Sequence, residues 1–229
     1  MTEPTLAARA SAARAELARW REDFEGALAA QFPAAEIPSL WAAIGARFDE
    51  LLEKMPDPGW RAPTMRAFST SGAIYVAVRL VLASRGLDAA RTWTVCEAAT
   101  RAHFAKMKGM ERSAASSGMF SWPMRWLVRS LQARSREAPV GGWAASYVAG
   151  DGAFDFGVDY TRCAIRELAV SAGAADFAPY ICLADIAGSE EFGWGLVRTE
   201  TIAQGGSRCD FRFKRGGETK VRVRLPVSG

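Results

Sequence analysis

No run of apolar residues in this chain is long enough to cross a bilayer. The longest, Gly72 to Ala83, is broken by Arg79 and falls short of the roughly 20 residues a membrane-spanning helix needs. Nor does the N-terminus offer a leader. It mixes Glu3, Glu16, Glu22 and Asp23 with its arginines and has no apolar core segment, which fits neither a secretory signal nor an acid-poor transit peptide. A cytoplasmic location is therefore expected. Charge of one sign is lacking too: 29 basic against 25 acidic residues leave a net charge of +4, with the basic residues scattered. That balance gives no electrostatic footprint for nucleic acid and none for a membrane surface. There is no internal repeat, no low-complexity tail, and no pair of cysteines at the spacing of a zinc knuckle. Histidine occurs once, as His103.

What is present is ordinary globular material. At 229 residues and 49% hydrophobic, the chain is long enough to bury a sizeable core. Residues 5–30 are rich in Ala, Arg and Glu and predict one long amphipathic helix. A second helix is predicted over 37–55, ending at MPDPGW, and a third, mostly apolar, over 68–84. RGLD supplies a terminating glycine and then a start for 88–107. GMERSAASSGM reads as a loop, and a helix over 120–136 carries Trp122, Arg125, Trp126 and Arg129, with Pro123 tolerated in its first turn. After EAPVGG the pattern changes. WAASYVAG and AFDFGVDY read as strands joined near Gly150, Asp151 and Gly152. TRCAIRELAVSAG reads as a helix with Thr161 as cap and Gly173 as stop, and a short helix covers 174–187. Strands near 193–203, 207–214 and 218–224 follow, the last two joined by an RGGE hairpin signal. The expected class is α+β: a helical region, 1–137, packed on an antiparallel sheet with two crossover helices, 138–229.

The C-terminal region holds three of the four cysteines. In GGSRCDFRF, Cys209, Phe211 and Phe213 alternate with Arg208, Asp210, Arg212 and Lys214, the period of a half-buried strand, so Cys209 points inward and Asp210 outward, where Arg212 is placed to pair with it. Cys163 falls in the first turn of a helix, where free N–H groups favour the thiolate, and Arg162 lies beside it. Cys182 and Asp185 stand three apart on a helix and share a face. Free cysteine is among the most buried residue types and ordinarily fills core space, so each of these also has a purely structural reading.

Cys163, the Cys182–Leu–Ala–Asp185 run and TIAQGG leading into CDFRF together resemble the L-2-amino-thiazoline-4-carboxylic acid hydrolase family, over about residues 140–215. The resemblance implies hydrolytic opening of a small cyclic amidine-like ring: water adds at the carbon between sulfur and nitrogen, and a C–N or C–S bond breaks to leave a carbamoyl-cysteine type product. Such chemistry needs a nucleophile, a proton donor for the departing heteroatom and a carboxylate for the amidine. Cys182 is favoured as nucleophile for the face it shares with Asp185, Cys163 is second and Cys209 stays open. No cofactor is implied. A Cys₃His zinc set with His103 competes, but separations of 19 and 27 residues between the cysteines lack the short spacing of such sites. Trp122 and Trp194 offer apolar walls, Arg125 and Arg129 a clamp for a substrate carboxylate, and His103 a proton-transfer group. The expected partner is a small molecule; a homo-oligomer is left open. The C-terminal layout is also similar to the 4-vinyl reductase type of small-molecule-binding domain, which would bind without turnover, and a third reading makes the chain a structural partner docking through its first helix.

Overall fold

The computed structural model describes residues 6–55, 63–135 and 142–225. The prolines of MPDPGW, residues 137–141 of the EAPVGG connection and the first turn before Leu6 lie outside them. Seven helices come first: α1 Leu6–Arg19, α2 Arg21–Leu28, α3 Ile37–Leu52, α4 Pro63–Ser84, α5 Ala89–Lys106, α6 Gly109–Gly118 and α7 Trp122–Arg134. Strands β1 Ala144–Ala149 and β2 Phe156–Arg162 follow, then α8 Ala164–Ser171, α9 Ala178–Ile181, α10 Ala184–Phe192, and strands β3 Leu196–Arg198, β4 Cys209–Phe213 and β5 Lys220–Val221. The class is α+β, as the sequence indicates.

Local signals place several boundaries. Gly86, at φ +82°, takes the left-handed turn that lets the Leu87 N–H bond back to the Leu82 carbonyl at 3.0 Å and closes α4. Asp88 then caps α5, its carboxylate accepting from the Arg91 N–H at 2.7 Å. Ser121 caps α7, with proline in the first turn. Gly173, at φ +79°, ends α8 with the Ala174 N–H on the Ala169 carbonyl at 2.8 Å.

Four expectations are corrected. The first helix breaks into α1 and α2 at Trp20, which is 4% exposed with its ring against Phe24, Tyr75 and His103; no Gly or Pro marks the break, so packing makes it. GMERSAASSGM is not a loop but α6, fastened to α10 by Arg112 on the Glu191 carboxylate and carbonyl and by the Trp194 indole on the Ala115 carbonyl at 3.0 Å. Thr161 lies in β2, and Cys163, with extended backbone, is itself the N-cap position of α8. Finally, β4 and β5 form no hairpin. The sheet order is β1-β2-β4-β3-β5, antiparallel except for the β3–β5 pair, which is parallel.

The hydrophobic packing crosses residue 137. One cluster joins α1–α5 to α8–α10, around α4 with Ile74, Val76, Val78 and Leu82 all at most 1% exposed. At about 1.5–3 kcal/mol for each fully buried Val, Leu or Ile, this helix is a major source of stability. It is also the one helix among the described residues apolar enough, over Met65–Ser84, to match a membrane span by composition, yet it lies at the centre of the helical layer. The second cluster sets α7 and Met65 against the inward sheet face: Ala145, Phe156, Val158, Leu196 and Phe213.

Candidate active site

The sheet register decides what meets above that inward face. Val158 pairs with Phe211 and Tyr160 with Cys209 across β2–β4, while Leu196 pairs with Phe213 across β3–β4. With side chains alternating, Arg198, two residues on from Leu196, falls on the same face, its guanidinium 5.2 Å from the centre of the Phe211 ring. Arg198 is 1% exposed. An arginine so enclosed must be partnered, and the partners come from the helices overhead: Nη1 donates to Asp185 Oδ2 at 2.5 Å and Nη2 to the Cys182 carbonyl at 2.8 Å. One side chain thus ties β3 to the α9–α10 junction. Cys182 is not mid-helix as the sequence suggested. It ends α9, and its thiol reaches the Ala178 carbonyl at 3.6 Å.

Around this pair the thiols gather. Cys163, where β2 becomes α8, is felt electrostatically by Cys209 and feels Cys182 and Asp185; Cys182 feels Arg198, Asp185 and Cys209. Tyr160, its ring edge-on to Trp143 and Phe211 at 5.5 Å, is coupled to Asp185, Cys163 and Cys209. The sulfurs do not touch: all four cysteines are free, and among the described residues no three His, Cys, Asp or Glu side chains are close enough to hold a metal ion. Depth and access coexist here. Asp185 sits deep enough for desolvation to dominate its proton affinity, yet 42% of its side-chain surface stays accessible. Cys163, Cys182 and Tyr160 are likewise deep and only half-buried. These groups lie between the inward sheet face and the α8–α10 helices, and each keeps part of its surface accessible.

Burial sets the electrostatics. Asp185 is raised above its ordinary value by desolvation, against the opposing charge and hydrogen bond of Arg198. Each of the three thiols is pushed up to about 12, first by burial. For Cys163 the N–H groups of Ile165 and Arg166 do favour the thiolate, but burial outweighs them. For Cys182 the leading opposing influence is Arg198, with the Thr201 hydroxyl beside it. Cys209 accepts the Ile202 N–H at 3.3 Å. The thiols are therefore protonated at neutral pH. On the outward face Arg212 does not pair with Asp210; it donates to Asp159 at 2.7 Å. Burial alone would raise Asp210, but the Thr199 hydroxyl at 2.6 Å and the N–H groups of Glu200 and Thr199 at 2.8 and 2.9 Å hold it low.

The other residues singled out from sequence have different company. His103 stacks on Trp20 at 4.0 Å and meets Asp23 at 2.9 Å, which binds it to α1 and α2 instead of completing a set with the cysteines. Arg125 donates to the Phe120 carbonyl and Arg129 covers the Tyr147 ring at 4.4 Å. Trp122 is 74% exposed, and Trp194 packs on Gly188 and Phe192. None of these contacts reaches a thiol, Asp185 or Arg198. Sequence reading passed over Arg198, Tyr160 and Thr201. The signal for Arg198 was available: it stands in phase with Leu196 in LVR, and a charge at an inward strand position needs a partner.

An α+β protein whose helices cover a sheet above three free thiols, one carboxylate and one enclosed arginine is the class that fold and site define. Comparison with protein families matches residues 67–213 to L-2-amino-thiazoline-4-carboxylic acid hydrolase, and with well over half of the chain covered, the protein belongs to that family. The match begins within α4 and so takes in the helical roof as well as the cysteine-bearing part. No curated protein and no solved structure matches the chain.

Proposed function

We propose that the chain is a hydrolase that opens a small cyclic amidine of the 2-aminothiazoline-4-carboxylate kind, with Cys182 as nucleophile and Asp185 as the group that moves protons. The family name carries the substrate class, and the observation that carries the chemistry is the Asp185 carboxylate, deep yet accessible, beside Cys182 and Arg198. In this reading Cys182 Sγ bonds to the carbon between ring sulfur and ring nitrogen, while Asp185 takes the thiol proton and passes it to the nitrogen. The ring C–S bond then breaks, a nitrogen proton moving through Asp185 to the departing sulfur. Water adds to the resulting isothiourea, and the Cys182 thiol leaves with its proton, giving a carbamoyl product with one water consumed. An aspartate with raised proton affinity suits such two-way transfer, and a bound cationic amidine would add a positive charge that favours the Cys182 thiolate.

The test is to follow product by mass after incubation with 2-aminothiazoline-4-carboxylate and a panel of related cyclic amidines and amides. Cys182→Ala and Asp185→Asn should each reduce turnover by about a hundredfold or more, and Cys163→Ala and Cys209→Ala by far less. Full activity in both of the first two variants overturns the assignment. The resting thiols, pushed up to about 12, favour a second reading as a sensor similar to the 4-vinyl reductase domain. Saturable binding of the amidine with no product in any buffer would select it.

A further inference from the structure

A groove of about 380 Å³ lies on the far side of the β3–β4 connection, lined among others by Thr201, Gln204, Glu200, Arg222 and Arg224. We propose that it is a binding site for a small dicarboxylate, adjoining the thiol site at Thr201 but independent of whether that site catalyses. Arg222 and Arg224, two apart on the segment that continues β5, project to the same side and both line the groove, and neither side chain has an ion pair among the described residues. The Gln204 amide is oriented by its own network: Oε1 accepts the Arg224 N–H at 3.3 Å, which leaves Nε2 as the donor end. That Nε2 is buried without a formed hydrogen bond among the described residues, while the Thr201 hydroxyl lies on the Cys182 side. Buried donors left open are rare in folded proteins and call for a partner.

The donor set selects the ligand. A phosphate loop presents backbone N–H groups in a concave nest, and here they are used up: the Gly205 N–H goes to the Ile202 carbonyl, the Gly206 N–H to the Thr201 carbonyl, and the Ser207 N–H to Glu200 Oε2. Glu200 is also paired with Arg208 at 3.2 Å, so its charge is already answered. What remains is two planar guanidinium forks and an amide, which match the planar, two-oxygen geometry of carboxylates.

Calorimetric titration of the full chain with malonate, inorganic phosphate and uncharged malonamide tests this. Malonate should bind with one site per chain, malonamide should not, and Arg222→Gln or Arg224→Gln should each weaken malonate at least about tenfold, the loss expected for one charge-assisted hydrogen bond. Arg129→Gln, on α7, should leave it unchanged, and the melting temperature of each variant in the absence of ligand shows that the fold is kept. Malonate affinity unaltered in the Arg222→Gln/Arg224→Gln double variant, or phosphate binding more tightly than malonate, would overturn the proposal. Loss of ring-opening activity leaves the result untouched, since titration reads binding alone.

Discussion

Arg198 and Asp185 meet at 2.5 Å with unequal surroundings: the arginine side chain is wholly enclosed, while the aspartate keeps 42% of its side chain open. The cation is therefore held by protein alone, and the anion is shared between protein and solvent.

Replacing Arg198 by methionine removes the ion pair, the bond to the Cys182 carbonyl and the contact with Phe211 together. Breaking a buried pair costs about 3–5 kcal/mol. Because Asp185 can be reached by water, the lower end applies, about 3 kcal/mol, read as a shift in the urea midpoint at constant slope. A loss under 1 kcal/mol would mean that this contact is not what joins β3 to the α9–α10 junction.

Asp185→Asn should change how stability depends on pH. A carboxyl group whose folded-state value is raised binds its proton more tightly folded than unfolded, so the ionised form weakens the fold, and stability falls as pH climbs from 3.8 through the raised value. The variant, which cannot titrate, should lack this fall with pH, while its stability is lowered throughout because the enclosed Arg198 cation loses its anion, and turnover disappears. Asp210, held low, contributes stability that is present above 3.8 and lost as pH falls through its lowered value. The slopes of urea midpoint against pH for Asp185→Asn and Asp210→Asn should depart from the native slope in opposite directions.

Alkylation of the free protein should be slow near pH 7 at Cys163, Cys182 and Cys209, rising about tenfold per pH unit, as the thiolate fraction does, toward about 12. Cys96, fully enclosed in the helical core, should react last. Since Arg198 is the chief influence lowering Cys182 and a lesser one on Cys209, Arg198→Met should slow Cys182 most, Cys209 less, and leave Cys96 unchanged. Peptide-resolved mass spectrometry distinguishes the four, and a fast Cys182 in Arg198→Met would contradict the electrostatics.

Gly72 lets α8 lie close on α4: a Cβ there would come within 2.6 Å and 2.8 Å of the two branches of Ile165. Alanine would gain about 1 kcal/mol in helix propensity, but overpacking against a β-branched side chain costs about 1–3 kcal/mol. A net loss of about 1 kcal/mol is expected. Ile165 is two residues past Cys163, so the same substitution should change the alkylation rate of Cys163 and not that of Cys96.

Much of this layout is legible in local patterns. The 3.6-residue periodicity and the caps at Asp88 and Ser121 mark helices, and the alternation in CDFRF turns Cys209 inward, because such signals act over a few residues. The conformation of GMERSAASSGM could not be read that way: its serines and glycines favour no helix, and it is held by Arg112 and Ala115 against α10, almost eighty positions on. The parallel seat of β5 beside β3 was hidden for a related reason, since RGGE is a good turn wherever the following strand goes.

The order of residues along the chain determined which side chains face inward: the three cysteines, Asp185 and, by its phase with Leu196, Arg198. Only the folded chain decided that they lie between the same sheet face and helices, that Arg198 and not a histidine answers the carboxylate, and that His103 belongs to Trp20 and Asp23. Facing is a property of neighbours a few bonds apart. Meeting depends on strand register and on helices crossing a sheet, and those are set by the packing of the whole core.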